Sequence, residues 1–273
     1  MPSGIHRIFE PRPEPLAVEY STTRRGVTVA ALSDVGRQRA NNEDSLLYWE
    51  GETDADFERK GRLAVVADGM GGYEGGQEAS RIAVETVRHI YSNNFGTDPQ
   101  QSLIAAFLAA HETIHRYASD HKQFQGMGTT CTALSIVDRQ LCFAHVGDSR
   151  LYHVRPDAVS RLTRDHSYVG RLVESGIVRS EDAESHPQRH ILTAALGSGR
   201  EVMPDSPAQP ITVDDGDSLV LCTDGLWSIV GEKEIADKVR SSTPSDACLG
   251  LVKLALERGG PDNVTVLVLR ISL

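Results

Sequence analysis

The stretch CTALSIVDRQLCFAHVGDSRLYHV, residues 131–154, decides the fold. Cys131–Val137, Gln140–Val146 and Leu151–Val154 are apolar runs of strand length. Only Asp138-Arg139 separates the first two, which predicts a tight hairpin and therefore antiparallel pairing. Working outward, further strand-like runs fall at Val27–Leu32, Ser45–Trp49, Leu63–Ala67, Ser218–Cys222 and Val264–Ile271. Helical patterns fall at Gly76–Tyr91, Pro99–Ser119, Gly231–Arg240 and Pro244–Glu257. The first of these carries Ala79, Ile82, Ala83, Thr86, Val87 and Ile90 on one face. Strands come in consecutive groups and long helices in pairs between them. That order predicts an α+β fold with antiparallel sheet and segregated helices, not an alternating parallel one.

Residues 1–25, with Pro2, Pro11, Pro13 and Pro15, read as a flexible N-terminal arm. From Gly26 to the end the patterns are dense, without a long linker, so 26–273 reads as a single domain. The segment 164–204, with a short helical stretch near Tyr168–Ser175, reads as a lid or flap between core elements.

Carboxylates stand at the tips of these apolar runs. Glu43 and Asp44 precede the run at Ser45, Asp68 follows Leu63–Ala67, Asp148 follows Val146, Asp224 follows Cys222, and Asp262 precedes Val264. A carboxylate ending a buried strand is costly unless a positive group receives it. Several meeting at one rim would repel one another unless cations sat between them. Hard divalent ions such as Mg²⁺ or Mn²⁺ answer that need, because they take oxygen ligands. Asp68-Gly69 and Asp224-Gly225 each read alone as a common turn; the joint pattern is what points to metal. Arg39, five residues before Asp44, offers the planar fork that captures a phosphate bidentately.

His111-Glu112-Thr113-Ile114-His115 matches the HExxH pattern of zinc peptidases, with His121 at the spacing of a third ligand. The longer motif needs Gly where this chain has Ala118. The apolar stripe Leu103, Phe107, Ala110, Ile114, Tyr117 also leaves both histidines on the helix flank. That alternative is set aside, and no GxSxG, Walker A or GxGxxG motif appears.

The formal net charge of −10 argues against a nucleic-acid partner, since phosphate backbones need basic surfaces. No apolar run approaches the ~18 residues that span a bilayer, and no signal peptide is evident. Cys131, Cys142, Cys222 and Cys248 form no CxxC pair and read as buried free thiols of a cytoplasmic protein.

Seven segments, in order, resemble the metal-dependent protein phosphatase family, the type 2C serine/threonine phosphatases, in its compact bacterial form. They are Ser33-Asp34-Val35-Gly36 with Arg39 and Asn42-Glu43-Asp44, Asp68-Gly69-Met70-Gly71-Gly72, Gly126-Met127-Gly128-Thr129-Thr130, Gly147-Asp148-Ser149-Arg150, Leu162–Ser167, Asp224-Gly225-Leu226-Trp227 and Gly259–Thr265. The resemblance covers residues 26–273. It implies a sandwich of two antiparallel sheets flanked on each side by helices, in four layers, with a flap at about 165–195. It implies that Asp68 bridges two Mg²⁺ or Mn²⁺ ions and that the Gly69 carbonyl binds one. Asp224 and Asp262 would complete the other, Glu43 and Asp44 would hold metal-bound waters, and Asp148 would ligate a third, weaker ion. Arg39 would grip the phosphoryl group.

The implied reaction is hydrolysis of phosphoserine and phosphothreonine in proteins by a metal-activated water, opposing a bacterial Ser/Thr kinase. Charge and hydropathy speak against nucleic-acid and membrane partners, and the oligomeric state is left open, with a monomer favoured. A catalytically silent binding module on the same fold is the rival. Two departures from the family stand out. Met70 takes the place where many eukaryotic relatives carry histidine. The run Arg-Asn-x-Leu-Thr-Arg-Ala-Leu-Gly appears as Arg189-His190-Ile191-Leu192-Thr193-Ala194-Ala195-Leu196-Gly197.

Overall fold

The computed structural model describes residues 18–20, 25–72, 74–93, 98–183, 186–199 and 201–272. In its first half the chain runs β1 (Val18–Tyr20), β2 (Val27–Asp34), β3 (Asp44–Glu50), α1 (Asp54–Lys60), β4 (Arg62–Met70), α2 (Gly75–Asn93), α3 (Pro99–Asp120), β5 (Gly128–Thr129), β6 (Cys131–Val137) and β7 (Gln140–Val146). It continues β8 (Arg150–Val154), β9 (Val159–Arg161), α4 (Tyr168–Glu174), α5 (Ser180–Ala183), β10 (Ile211–Thr212), β11 (Ser218–Cys222), α6 (Asp224–Trp227), α7 (Glu232–Ser241), α8 (Pro244–Glu257) and β12 (Val264–Ile271).

Two antiparallel sheets result. One has the order β1-β2-β12-β11-β8-β9, the other β10-β7-β6-β4-β3 with β5 alongside β4. The β6–β7 hairpin turns at Asp138 and Arg139, both with positive φ, so the two-residue turn matches the strand twist. The Arg139 Nε–H donates to the Val213 carbonyl at 3.1 Å, a contact that offsets the cost of left-handed backbone at a non-glycine residue.

Alternation along each strand builds three apolar layers. On β4, Leu63, Val65 and Ala67 face α2 and α3, where Ala83, Val87, Leu103, Phe107 and Ile114 meet them. Ala64 and Val66 turn the other way, joining Leu134, Phe143, Leu267 and Leu269 between the sheets. On β12, Val264, Val266 and Val268 pack under Ile235, Val239, Leu251 and Val252 of α7 and α8. Both faces of the central strands are thus covered, which is why their sequences read as unbroken apolar runs. The four-layer sandwich agrees with the expectation.

The stretch read as an arm needs one amendment. Val18–Tyr20, inside it, pairs antiparallel with Ala31–Val29 of β2; residues 1–17 and 21–24 lie outside the described residues. All four cysteines are buried and free. No described helix is long and apolar enough to cross a membrane.

Candidate metal centre

The sheets deliver the acidic residues to one end of the sandwich. Asp44 opens β3 and lies directly across from Asp68 on β4. Asp224 starts α6 at the end of β11, and Asp262 lies in the turn before β12. Asp148 sits in the turn between β7 and β8, where its carbonyl accepts the Trp227 indole N–H at 2.9 Å. A cleft of about 600 Å³ is lined by Arg39, Glu43, Asp68, Gly69, Asp148, Asp224 and Asp262 among others. Asp44 is not in that wall; its Oδ2 accepts the Thr223 hydroxyl at 2.9 Å.

Asn263, unremarked as a site residue in the sequence, fixes the loop that carries Arg39 and Glu43. Its Oδ1 accepts the Glu43 N–H at 2.8 Å, while its Nδ2 donates to the carbonyls of Val35 and Asn41 at 3.0 and 2.9 Å. The Asn263 side chain is buried, and its three bonds are part-buried. Close backbone approaches finish the frame. A Cβ on Gly225 would lie 1.9 Å from the Asn263 carbonyl oxygen. One on Gly76 would lie 2.6 Å from Glu43 Oε2, so the start of α2 can sit against that carboxylate only without a side chain.

Electrostatics in the cleft oppose ionisation of the carboxylates. Burial pushes Asp68 well above the usual carboxylate range, and Asp44, Asp224, Asp148 and Asp262 push it further. Burial does the same to Asp148, with Asp224 and Asp165 adding to it and Arg150 opposing. Asp44 is pushed up to about 7, chiefly by burial, against the hydrogen bonds of Thr265 and Thr223. Glu43 is raised by burial, which Arg39 partly offsets. The Arg39 Nη2 donates to Asp262 Oδ2 at 2.7 Å, a contact that raises the guanidinium pKa.

Two carboxylate oxygens, Asp44 Oδ1 and Asp224 Oδ1, are sealed from solvent with no hydrogen-bond partner among the described residues. Buried, unpartnered anionic oxygens beside like charges call for a cation. An all-oxygen donor set of this kind fits Mg²⁺ or Mn²⁺. As the side chains stand, no three His, Cys, Asp or Glu among the described residues form a ready ligand group. Arg39 instead holds Asp262, and His190 Nδ1 lies 3.6 Å from Asp224 Oδ2. The donors therefore share a cleft and a charge problem, and ion binding must draw them together.

The stretch expected to form a flap contributes Arg189, His190 and Leu192 to the wall of this cleft. It is pinned by Tyr168 N–H to the Ile191 carbonyl at 2.7 Å and Thr193 N–H to the His166 carbonyl at 2.8 Å. An adjoining cleft of about 380 Å³ is lined by Arg150, Arg161, Arg164, Asp165 and Trp227. Three of its four arginines are engaged, Arg150 and Arg161 with Asp165, Arg164 with Asp205 and Glu174, while the buried Nε of the fourth, Arg189, has no hydrogen-bond partner among the described residues. This cleft lacks the unpartnered carboxylates of the first.

The HExxH pattern builds no site. His111 Nδ1 accepts the Gly197 N–H at 3.2 Å, and His121 stacks on Tyr117 at 4.1 Å between ring centroids.

Residues 37–245 match the family model described as protein phosphatase 2C. The protein phosphatase PhpP of Streptococcus pneumoniae is 36% identical over 243 residues, covering 87% of this chain and 95% of PhpP. The serine/threonine protein phosphatase PstP of Mycobacterium tuberculosis is 37% identical over 239 residues, covering 88% of this chain and 44% of PstP. The crystal structure of the M. tuberculosis serine/threonine phosphatase PstP/Ppp superposes with a TM-score of 0.81 at 35% identity, covering 91% of this chain and 100% of that one. The catalytic domain of PstP in complex with two manganese ions superposes with a TM-score of 0.78 at 33% identity, covering 91% and 99%.

Proposed function

The chain belongs to the protein phosphatase 2C family, and from that premise we propose that its acidic cleft removes phosphate from phosphoserine and phosphothreonine side chains of proteins, opposing a Ser/Thr kinase in the cytoplasm. The observation that carries this reading is the pair of buried, unpartnered oxygens on Asp44 and Asp224 among mutually repelling carboxylates. Such a set stores an unmet demand for positive charge beside an arginine able to hold a phosphate.

Asp68, Gly69, Asp224 and Asp262 would hold two Mg²⁺ or Mn²⁺ ions, with Glu43 and Asp44 supporting them and Asp148 serving a third. When bound, such ions supply Lewis-acid polarisation of phosphoryl oxygens and a source of hydroxide at neutral pH. The chain's own contribution is positioning. Asn263 fixes the loop so that Arg39 projects over the carboxylates. The Arg39 side chain is about half exposed, which leaves its fork accessible to an incoming phosphoryl group. Turning from Asp262 to substrate, Arg39 would exchange one charge-assisted bond for another and leave the Asp262 carboxylate to a metal ion.

The test is hydrolysis of a phosphothreonine peptide with Mn²⁺ present and after chelation. Wild-type protein should turn over only with the ion, and Asp224→Asn should lose that turnover while keeping its circular dichroism. Full activity in Asp224→Asn would sink the assignment, and a wild-type protein with intact ion binding but no turnover would favour the silent binding module.

A further inference from the structure

Arg189 is the one described residue common to the walls of the acidic cleft and of the adjoining cleft. Its guanidinium forms no ion pair or side-chain hydrogen bond with any described residue, and its Nε is sealed from solvent without an acceptor. Leaving a buried N–H unpaired is costly, and more so on a charged group. The backbone that carries it is held. The Arg189 N–H donates to the His186 carbonyl at 3.1 Å and the Ile191 N–H to the Gln188 carbonyl at 3.2 Å. Ser167 and Leu192 form an isolated antiparallel bridge just beyond. A cation is thus presented where the two clefts meet, paired with none of the described carboxylates.

The carboxylates of the adjoining cleft do not meet its demand. Asp165 is taken by Arg150 and Arg161, and Glu174 by Arg164. Glu232, the third carboxylate of that wall, forms no ion pair with Arg189. Four arginines against three carboxylates leave the wall one positive charge in excess among the described residues. The acidic cleft has the opposite balance, and its other arginine, Arg39, is held by Asp262. None of the carboxylates assigned to the metal ions lines the adjoining cleft, so an anion there would not compete with them. Of the two arginines in the family's run, this chain keeps Arg189 and carries Ala194 in place of the second.

We propose that Arg189 is a specificity-determining residue that holds a carboxylate side chain of the phosphoprotein, one or two residues from the scissile phosphate, with the adjoining cleft receiving that side chain. This rests on the phosphatase reading above and adds to it a substrate class, phosphoserine or phosphothreonine flanked by glutamate or aspartate. Turning the fork onto a carboxylate pairs Nε and an outer nitrogen with its two oxygens, which satisfies the donor now sealed. The separation follows from one side chain bordering both clefts, since an extended peptide advances about 3.3 Å per residue.

The experiment measures kcat/KM of the full chain with Mn²⁺ on peptides carrying a single phosphothreonine, with Glu, Gln or Lys placed in turn at each position within two residues of it. Wild-type protein is compared with Arg189→Gln and Arg189→Glu, each checked by circular dichroism. Wild type should prefer Glu to Gln at one of these positions by about tenfold, mainly through KM. Arg189→Gln should abolish the preference. Arg189→Glu should turn it toward Lys, an exchange that a merely structural role does not produce. The wild-type comparison stands whether or not a variant folds. Wild-type protein indifferent to the three residues, or a Glu preference that survives in Arg189→Gln, overturns the inference and leaves the phosphatase reading standing. An equal fall for every peptide and for para-nitrophenyl phosphate in Arg189→Gln also overturns it, by placing Arg189 on the scissile phosphate. Wild-type protein that turns over no peptide with Mn²⁺ overturns both.

Discussion

Asp44 and Asp68 face each other as the end pair of the β3–β4 ladder, two acidic side chains at register positions one strand apart. Cross-strand like charges destabilise an antiparallel pair. Nothing in the sandwich requires carboxylates there, since the next positions inward, Ser45 and Ala67, pair without charge.

Neutralising one member should therefore stabilise the protein where chelator keeps ions away. Asp68→Asn is expected to unfold about 1 kcal/mol later than wild type in EDTA, and to lose the rise in melting temperature that Mn²⁺ gives wild type. Denaturant unfolding with and without Mn²⁺ checks both halves. A variant less stable in EDTA, yet still stabilised by Mn²⁺, would mean the pair is not a metal-binding element.

Arg39→Ala removes the fork without touching the carboxylates. A charge-assisted bond to phosphate contributes about 1.5–3 kcal/mol, so kcat/KM for a phosphopeptide should fall about 10–100-fold. The loss should appear mainly in KM. Mn²⁺ affinity should hold or improve, because Asp262 loses its 2.7 Å ion pair. Arg39→Lys should recover little, lacking the planar fork. An equal drop in metal affinity would make Arg39 structural.

Gly225→Ala inserts a methyl group 1.9 Å from the Asn263 carbonyl oxygen. Backbone must move to admit it, at a cost of about 1–3 kcal/mol. Because Gly225 follows Asp224 and Asn263 follows Asp262, the shift should also weaken Mn²⁺ binding. Thermal melts and a Mn²⁺ titration on the same sample test this; unaltered ion affinity would show that the close approach does not position the ligands.

His145 predicts an acid-labile step away from the cleft. It is fully buried, its Nε2 facing the Arg164 carbonyl at 2.9 Å and its Nδ1 the Thr132 hydroxyl at 2.8 Å. Burial, and then the neighbouring His166, hold its pKa down to about 4. The folded protein therefore binds fewer protons here than the unfolded chain. Its contribution is complete above about pH 6.5 and is lost as pH falls toward 4, amounting to about 3 kcal/mol. His145→Gln should be less stable at pH 7 yet lose stability less steeply between pH 6.5 and 4. A histidine resonance titrating near 6.5 in folded protein, assigned to His145, would contradict this.

The architecture was legible where burial on two faces writes unbroken apolar runs, as in β4, β6, β11 and β12. Helices α2, α3, α7 and α8 were legible from their long periodic faces. Short pieces were not. The helix Asp224–Trp227 spans four residues, too few to display a period, and Val18–Tyr20 has no pattern apart from its partner Val29–Ala31. The acidic set could be read because strand ends in an antiparallel sandwich gather at common edges. What could not be read were contacts whose two halves lie far apart in the chain, such as Thr223 with Asp44, Asn263 with Asn41, and His190 with Asp224. A polar residue beside a strong motif, as Asn263 is beside Asp262, was the one available hint.

Asp44 and Asp68 ride on one sheet, Asp224 and Asp262 on the other, and the apolar filling that includes Leu134 and Leu267 lies between. That filling works as a spacer setting the jaw width of the acidic centre. Trimming or swelling it, even at the end remote from the carboxylates, lets one sheet slide or tilt over the other, and an error of about 1 Å in reacting geometry can cost about 100-fold in rate. Loss of turnover after such a remote change would be a mechanical fault in the vise rather than damage to its teeth.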